Sequence, residues 1–103
     1  MLLGVTYKPN IADLRESPAL PLARKLEELG AIVQFHDPYV TTWHADGHSV
    51  GGVPDLDDAL RTADLTILLQ AHSAYDFASM AVTARRVLDT RGVVQGSSTV
   101  ERL

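Results

Sequence analysis

The sequence predicts an α/β fold, in which a mainly parallel sheet is covered by helices on both faces. Short apolar runs typical of buried strands alternate along the chain with segments of helical period. Residues that favour helix ends separate the two kinds of segment. The length of 103 residues is enough for one hydrophobic core, so we expect a single domain over residues 1–103.

The first strand is predicted in "MLLGVTY" and the first helix in "ALPLARKLEELG". Ser17 is a good N-cap, Pro18 suits the first helical position, and Gly30 follows the helix as a C-cap. One apolar stripe of this helix is predicted to face the sheet, and it consists of Ala19, Leu22, Ala23, Leu26 and Leu29.

Three further strands are predicted in "AIVQFH", "DLTILLQ" and "RRVLDT". Two further helices are predicted, one in "PDLDDALRTA" with an acidic first turn and one in "HSAYDFASMAVTA" with Ser73 as N-cap. The segment "VTTWHADGHSVGGV" is polar, with a short strand near residues 50–53, and "RGVVQGSSTVERL" shows no strong pattern. With right-handed crossovers, this order of elements predicts a Rossmann-like three-layer sandwich.

The composition excludes several classes of function. A formal net charge of -4 argues against nucleic-acid binding, which normally needs a basic stripe. The absence of cysteine excludes disulfides, thiolate metal sites and a cysteine nucleophile in this chain. No apolar run reaches the ~20 residues of a membrane span and no signal-peptide pattern is present, so we expect a cytoplasmic protein. Because the chain starts directly on a strand, we expect a fragment of a longer protein.

Ligands bind at the carboxyl ends of the strands in such a sheet. Three cations follow predicted strands, namely Lys8 and Arg15 after the first and Arg91 after the fourth. We expect these charges to converge at one edge and to bind a small anion, although solvated surface charges are the alternative. Asp13 is either a local partner of Arg15 or an acceptor for a substrate hydroxyl.

Dinucleotide and metal sites are less well supported. The first loop lacks the second glycine of a dinucleotide fingerprint, and turn formation explains Asp37-Pro38 as well as ribose binding does. His44, Asp46 and His48 alternate and would share one face of an extended segment, as metal ligands can. A solvated loop is the simpler interpretation of that segment.

Two other classes are weighed and not favoured. His72, Ser73 and Asp76 suggest a hydrolase, but a helix cap explains them, and no nucleophile-elbow pattern surrounds the serine. A response-regulator receiver would need paired acids at the end of the first strand, where this chain has Tyr7 and Lys8.

Three segments resemble one known family. "GVTYKPNIADLRESPAL", "LEELGAIVQFHDPYV" and "VLDTRG" are similar to the carboxy-terminal, UDP-binding domain of the UDP-glucose/GDP-mannose dehydrogenases, over nearly the whole chain. The resemblance implies an NAD-dependent, two-step oxidation of the C6 alcohol of a UDP-sugar to a carboxylate, through a thioester on a cysteine. In that family the cysteine and most of the NAD site belong to other domains. The chain alone is therefore expected to be inactive, and its parent to be a homodimer or a larger oligomer.

Residue by residue, the resemblance implies that Lys8, with Tyr7 beside it, contacts the UDP-sugar and that Arg91 binds the substrate. We group Asp13 with these substrate-binding residues. Arg15 is implied to reach the NAD side of the interdomain cleft. The run "DTRG" resembles members that oxidise UDP-N-acetylhexosamines, UDP-N-acetyl-mannosamine among them, more than members that oxidise UDP-glucose. The alternative function is a free-standing nucleotide-binding or regulatory module of the same fold.

Overall fold

The computed structural model describes residues 1–12, 14, 17–45 and 48–103. Within these residues the strands are β1 (Leu2–Leu3), β2 (Gln34–His36), β3 (Trp43–Ala45), β4 (His48–Gly52), β5 (Thr66–Leu68), β6 (Val87–Asp89) and β7 (Val100–Arg102). The helices are α1 (Ala19–Glu28), α2 (Leu56–Thr62) and α3 (Phe77–Thr83). None of these helices has the length and apolar character needed to cross a bilayer.

The strands form one sheet in the order β3-β4-β2-β1-β5-β6-β7. Every neighbouring pair is parallel except β3 and β4, which form an antiparallel hairpin at one edge. The predicted α/β fold with a mainly parallel sheet is therefore confirmed. The two edge strands, β3 and β7, were not predicted, because edge strands need no long apolar run.

The core is divided by the sheet into two layers, which confirms the three-layer sandwich. Leu2 and Leu3 of β1 point to opposite faces, as neighbouring strand residues do. The face with Leu2 is covered by α1 through Ala19 and Ala23. The face with Leu3 is covered by α2 through Leu60 and by α3 through Met80.

The bounds of α1 correct two predictions. Ser17 is not the N-cap, because the helix starts one residue later than predicted, after Pro18, which makes no side-chain cap bond. Ser17 Oγ instead accepts a hydrogen bond from the Ala19 amide at 3.2 Å. Leu29 is 74% exposed, because the helix ends at Glu28 and the apolar stripe ends with it. Gly30 confirms the predicted helix end, with a φ of +95° that favours glycine.

The start of α3 corrects a third prediction. Asp76, not Ser73, is its N-cap, and Asp76 Oδ1 accepts a hydrogen bond from the Ser79 amide at 3.0 Å. The same arrangement begins α2, where Asp55 Oδ1 accepts from the Asp58 amide at 3.2 Å. An aspartate one residue before the helix has a shorter reach to the free amides than a serine three residues further back.

Candidate functional site

The loops that follow β1, β2, β5 and β6 meet at the carboxyl edge of the sheet. The Val5 amide, after β1, donates to Asp37 Oδ2, after β2, at 2.7 Å. Gln70, after β5, donates from Nε2 to the Tyr7 carbonyl oxygen at 2.9 Å. Arg91, after β6, donates from Nη2 to Gln70 Oε1 at 2.9 Å. The predicted meeting of these strand ends is therefore confirmed.

Gly4 ends β1 after only two residues, although the sequence predicts a strand over residues 1–7. Its φ of +77° breaks the extended backbone, and a Cβ at this position would lie 2.6 Å from the Gln70 carbonyl oxygen. The glycine therefore permits both the turn of the loop and its close approach to the end of β5.

Asp37 is a buried carboxylate at the centre of this edge. Besides the Val5 amide, Oδ2 accepts from His72 Nε2 at 2.9 Å, and Oδ1 accepts from the Tyr39 amide at 2.8 Å. Both oxygens are thus directed at groups of the protein. The turn interpretation of Asp37-Pro38 accounts for this carboxylate better than ribose binding does.

His72 is fully buried, and its tautomer follows from its partners. Nδ1 must accept a hydrogen bond, because the Asn10 amide donates to it at 2.8 Å. Nε2 therefore carries the proton that faces Asp37 and also lies 3.1 Å from Thr6 Oγ1. The Thr6 hydroxyl donates onward to the Lys8 carbonyl oxygen at 2.9 Å. A neutral imidazole with its proton on Nε2 satisfies every group in this network.

The residues that suggested a hydrolase have separate partners. Ser73 donates from its amide and its hydroxyl to Asn10 Oδ1, at 2.8 and 3.1 Å. His72 pairs with Asp37 and not with Asp76, whose carboxylate caps α3. The three side chains therefore form no nucleophile, base and acid arrangement.

The turn that carries Arg91 is organised by Asp89, which is fully buried. Asp89 Oδ1 accepts from the amides of Arg91 and Gly92, both at 2.9 Å, and Oδ2 accepts from the Val94 amide at 2.7 Å. Gly92 has a φ of +72°, which suits glycine. A carboxylate that accepts three amides fixes the backbone of this turn.

The described candidate residues lie on the surface of this edge. Lys8 and Arg91 are exposed, and Tyr7 is 44% exposed. The Gln70 side chain is hydrogen bonded both to the backbone beside Lys8 and to the guanidinium of Arg91. Asp13 and Arg15 lie outside the described residues. The arrangement can present two positive charges and a phenol to an anionic ligand.

The predicted histidine and aspartate alternation falls on the hairpin of β3 and β4. His44 is exposed on β3 and lies opposite Ser49 of β4, whereas Asp46 lies outside the described residues. Among the residues that the structure describes, no group of three or more histidine, cysteine, aspartate or glutamate side chains is placed to hold a metal.

His36 and Tyr75 form a second polar pair beside Asp37. Tyr75 Oη donates to the His36 carbonyl oxygen at 2.9 Å and lies 3.1 Å from His36 Nδ1. Burial lowers the pKa of His36, against the opposing effect of the Asp37 charge. Burial, reinforced by that same charge, raises the pKa of Tyr75 far above its usual value. The phenol therefore remains a hydrogen-bond donor at neutral pH.

Gln70 was predicted only as the last residue of a strand, with no role in the site. It is only 2% exposed, and both ends of its amide are hydrogen bonded. The available signal was its position, since a polar residue closes the apolar run "ILLQ" at the edge where ligands bind.

Comparison with known proteins identifies relatives along the whole chain. The family whose model matches residues 1–96 is described as "UDP-glucose/GDP-mannose dehydrogenase family, UDP binding domain". The UDP-N-acetyl-D-mannosamine dehydrogenase of Methanocaldococcus jannaschii is 32% identical in an alignment 101 residues long, which covers 90% of this chain and 22% of that protein. The NDP-N-acetyl-D-galactosaminuronic acid dehydrogenase of Ralstonia solanacearum is 35% identical in an alignment 95 residues long, which covers 87% of this chain and 22% of that protein. The chain thus spans about a fifth of the length of these relatives.

Solved structures share the fold. A GDP-mannose dehydrogenase from Pseudomonas aeruginosa superposes with a TM-score of 0.76 at 24% identity, over 98% of this chain and 27% of the other. A UDP-N-acetyl-mannosamine dehydrogenase from Staphylococcus aureus gives a TM-score of 0.70 at 28% identity, over 98% of this chain and 24% of the other. Both likenesses agree with the α/β architecture described above.

Proposed function

Because the chain belongs to the UDP-glucose/GDP-mannose dehydrogenase family, we propose that it is the UDP-sugar-binding domain of a larger NAD-dependent dehydrogenase. The parent enzyme oxidises the C6 alcohol of the sugar to a carboxylate in two steps. The observation that supports this proposal most directly is the Gln70 amide, whose two ends bond to the Tyr7 carbonyl and to the Arg91 guanidinium. Two segments implied to contact the substrate are therefore linked through the Gln70 side chain.

Lys8 and Arg91 bind the diphosphate of the UDP-sugar in this proposal, with Tyr7 beside them and Asp13 accepting from a substrate hydroxyl. A diphosphate carries about two negative charges, and charge-assisted hydrogen bonds to it are of the strong class. The exposure of Lys8 and Arg91 supports this role, because neither cation has to leave a buried site to meet a ligand.

NAD is bound mainly by other domains of the parent, with Arg15 reaching towards it across the cleft. The first loop of this chain does not fit a dinucleotide. The side of Gly4 that lacks a Cβ faces Gln70, and the Val5 amide donates to Asp37, so neither is directed at a pyrophosphate. The chain also has no cysteine to form the thioester. We therefore expect the isolated chain to be inactive.

The sugar is proposed to be a UDP-N-acetylhexosamine. The run "DTRG" supports this choice, as do relatives that carry the name UDP-N-acetyl-D-mannosamine dehydrogenase. The parent is further proposed to act in the cytoplasm, where nucleotide sugars are available, and as a homodimer or a larger oligomer.

The experiment that tests the proposal is a titration of the isotope-labelled chain with UDP, followed by NMR. We expect shifts in the loop around Lys8 and in the turn around Arg91, with weak affinity because half of the cleft is in other domains. Lys8→Ala should weaken binding, whereas Lys25→Ala, which removes an exposed lysine on α1, should leave it unchanged. The absence of shifts at both segments in millimolar UDP would overturn the proposal. A parallel titration with GDP measures the preference for the base.

A further inference from the structure

The Gln70 side chain is hydrogen bonded to both loops that carry the proposed diphosphate-binding residues. We propose that it is a positioning residue that sets the distance between the Arg91 guanidinium and the loop of Tyr7 and Lys8, and thereby the spacing of the groups that receive the diphosphate. This inference rests on the proposed function, and it assigns the geometry of that site to one buried side chain.

The orientation of the Gln70 amide is fixed by its partners. Nε2 donates to the carbonyl oxygens of Tyr7 at 2.9 Å and of Thr6 at 3.3 Å. Oε1 accepts from the Ala71 amide at 3.2 Å and from Arg91 Nη2 at 2.9 Å. The opposite orientation would set the NH₂ group against two donors and the oxygen against two acceptors. The NH₂ end of the amide therefore contacts the loop of Tyr7, and the oxygen end contacts Arg91.

Gln70 and Arg91 differ in exposure, and this difference makes the contact useful for binding. Gln70 is 2% exposed, whereas Arg91 is exposed. An exposed arginine loses rotamer freedom when a ligand immobilises it, and a buried hydrogen-bond partner reduces that loss by ordering it beforehand. The guanidinium has five N–H donors, so the bond to Gln70 leaves others for phosphate oxygens.

The backbone supports the same side chain. Gly4 lies against the backbone and Cβ of Gln70, where a larger residue would not fit. The turn at Arg91 is fixed separately by Asp89. The backbone of each segment thus has its own contacts, and the Gln70 side chain orders the Arg91 guanidinium relative to the loop of Tyr7.

The test compares Gln70→Met, which keeps the length of the side chain and removes both polar ends, with Gln95→Met, which changes an exposed glutamine in a nearby loop. Without ligand, Gln70→Met should shift the amide signals of both Tyr7 and Arg91, and UDP affinity should fall about tenfold. Gln95→Met should change neither. Gln70→Glu retains an acceptor for Arg91 and loses the donor to Tyr7, so it should shift the Tyr7 signal more than the Arg91 signal.

A double-mutant cycle separates positioning from a general effect on folding. In an Arg91→Met background, Gln70→Met should lower UDP affinity by much less than tenfold, because the contact between the two residues is already absent. A purely structural role would lower UDP affinity by the same factor in both backgrounds, together with a lower midpoint of unfolding. If Gln70→Met does not fold, Arg91→Met alone still tests the link, since it should shift the Tyr7 signal through Gln70.

The outcomes distinguish this inference from the proposed function. If the unmodified chain does not bind UDP, the proposed function is overturned and the ligand role of Gln70 with it. If the unmodified chain binds UDP and Gln70→Met binds it equally well, or if the two substitutions act independently, only the positioning role is overturned.

Discussion

His72 Nε2 lies 2.9 Å from Asp37 Oδ2, and both side chains are fully buried. The pair joins the loop after β2 to the loop after β5, and each partner also binds the loop after β1, through the amides of Val5 and Asn10. A buried carboxylate is stable only when donors surround it, and here three donors converge on two oxygens. The pair therefore secures the backbone on which the candidate site is built.

Asp37→Asn should destabilise the chain by about 2 kcal/mol, because one amide cannot replace both carboxylate oxygens. If the asparagine oxygen accepts from Val5 and His72, the asparagine NH₂ group faces the Tyr39 amide. Two donors then face each other, and neither has an acceptor there. Urea unfolding measures the loss. The matched control is Asp76→Asn, which should change stability by less than about 0.5 kcal/mol, since asparagine caps helices as well as aspartate does. Equal losses for the two variants would contradict the prediction.

Gly4→Ala should cost about 3 kcal/mol, the sum of an unfavourable φ and a clash with the Gln70 backbone. Gly92→Ala separates the two effects. Gly92 has a similar φ of +72°, but among the described residues no heavy atom outside its two chain neighbours lies within 4 Å of an added Cβ. Its substitution should therefore cost only about 1 kcal/mol. Thermal unfolding of both variants checks the difference, and a Gly4→Ala variant no less stable than Gly92→Ala would rule out the clash.

His36 should make the chain less stable in mild acid. Burial lowers the pKa of His36 in the folded state, so between that pKa and the unfolded value of about 6.5 the unfolded state binds more protons. Its contribution to stability is complete above about pH 6.5 and is lost as the pH falls through the folded pKa. His36→Gln should therefore reduce the loss of stability between about pH 7.5 and about pH 5.5. The control His44→Gln, at an exposed site, should keep the loss of the unmodified chain.

Arg15→Ala in the full-length dehydrogenase should raise KM for NAD more than KM for the nucleotide sugar. The reason is the proposed position of Arg15 on the NAD side of the cleft, whereas Lys8 and Arg91 are proposed to bind the UDP-sugar. Steady-state kinetics with each substrate varied in turn give the comparison, with Arg24→Ala on α1 as the control. A larger effect on KM for the nucleotide sugar would show that the role assigned to Arg15 is wrong.

The sheet and its helices were predictable because apolar period and helix ends are local signals. The runs that contain Leu3, Phe35, Leu68 and Val87 all form strands, and these four side chains are buried in the core. The strands β3 and β7 were not predicted, whereas β4 overlaps the short strand predicted near residues 50–53. Whether such a polar segment forms a strand depends on the neighbouring strand with which it pairs. The sequence of the segment itself does not identify that neighbour.

The candidate site was predictable only as a set of strand ends. The sequence located Lys8, Asp37 and Arg91 after strands, and parallel topology brought those ends together. It did not reveal that Asp37 pairs with His72 or that Gln70 joins Tyr7 to Arg91. Those contacts connect residues 21 to 63 positions apart, and no local pattern encodes them.

The two-residue length of β1 has a consequence for hydrogen exchange. Residues 5–12, which follow it, belong to no strand, yet the Val5 amide donates to Asp37 and the Asn10 amide to His72, both fully buried acceptors. These two amide protons exchange only when the buried pair separates, so they should exchange as slowly as protons of the central strands. A segment without regular secondary structure thus opens together with the core and not ahead of it.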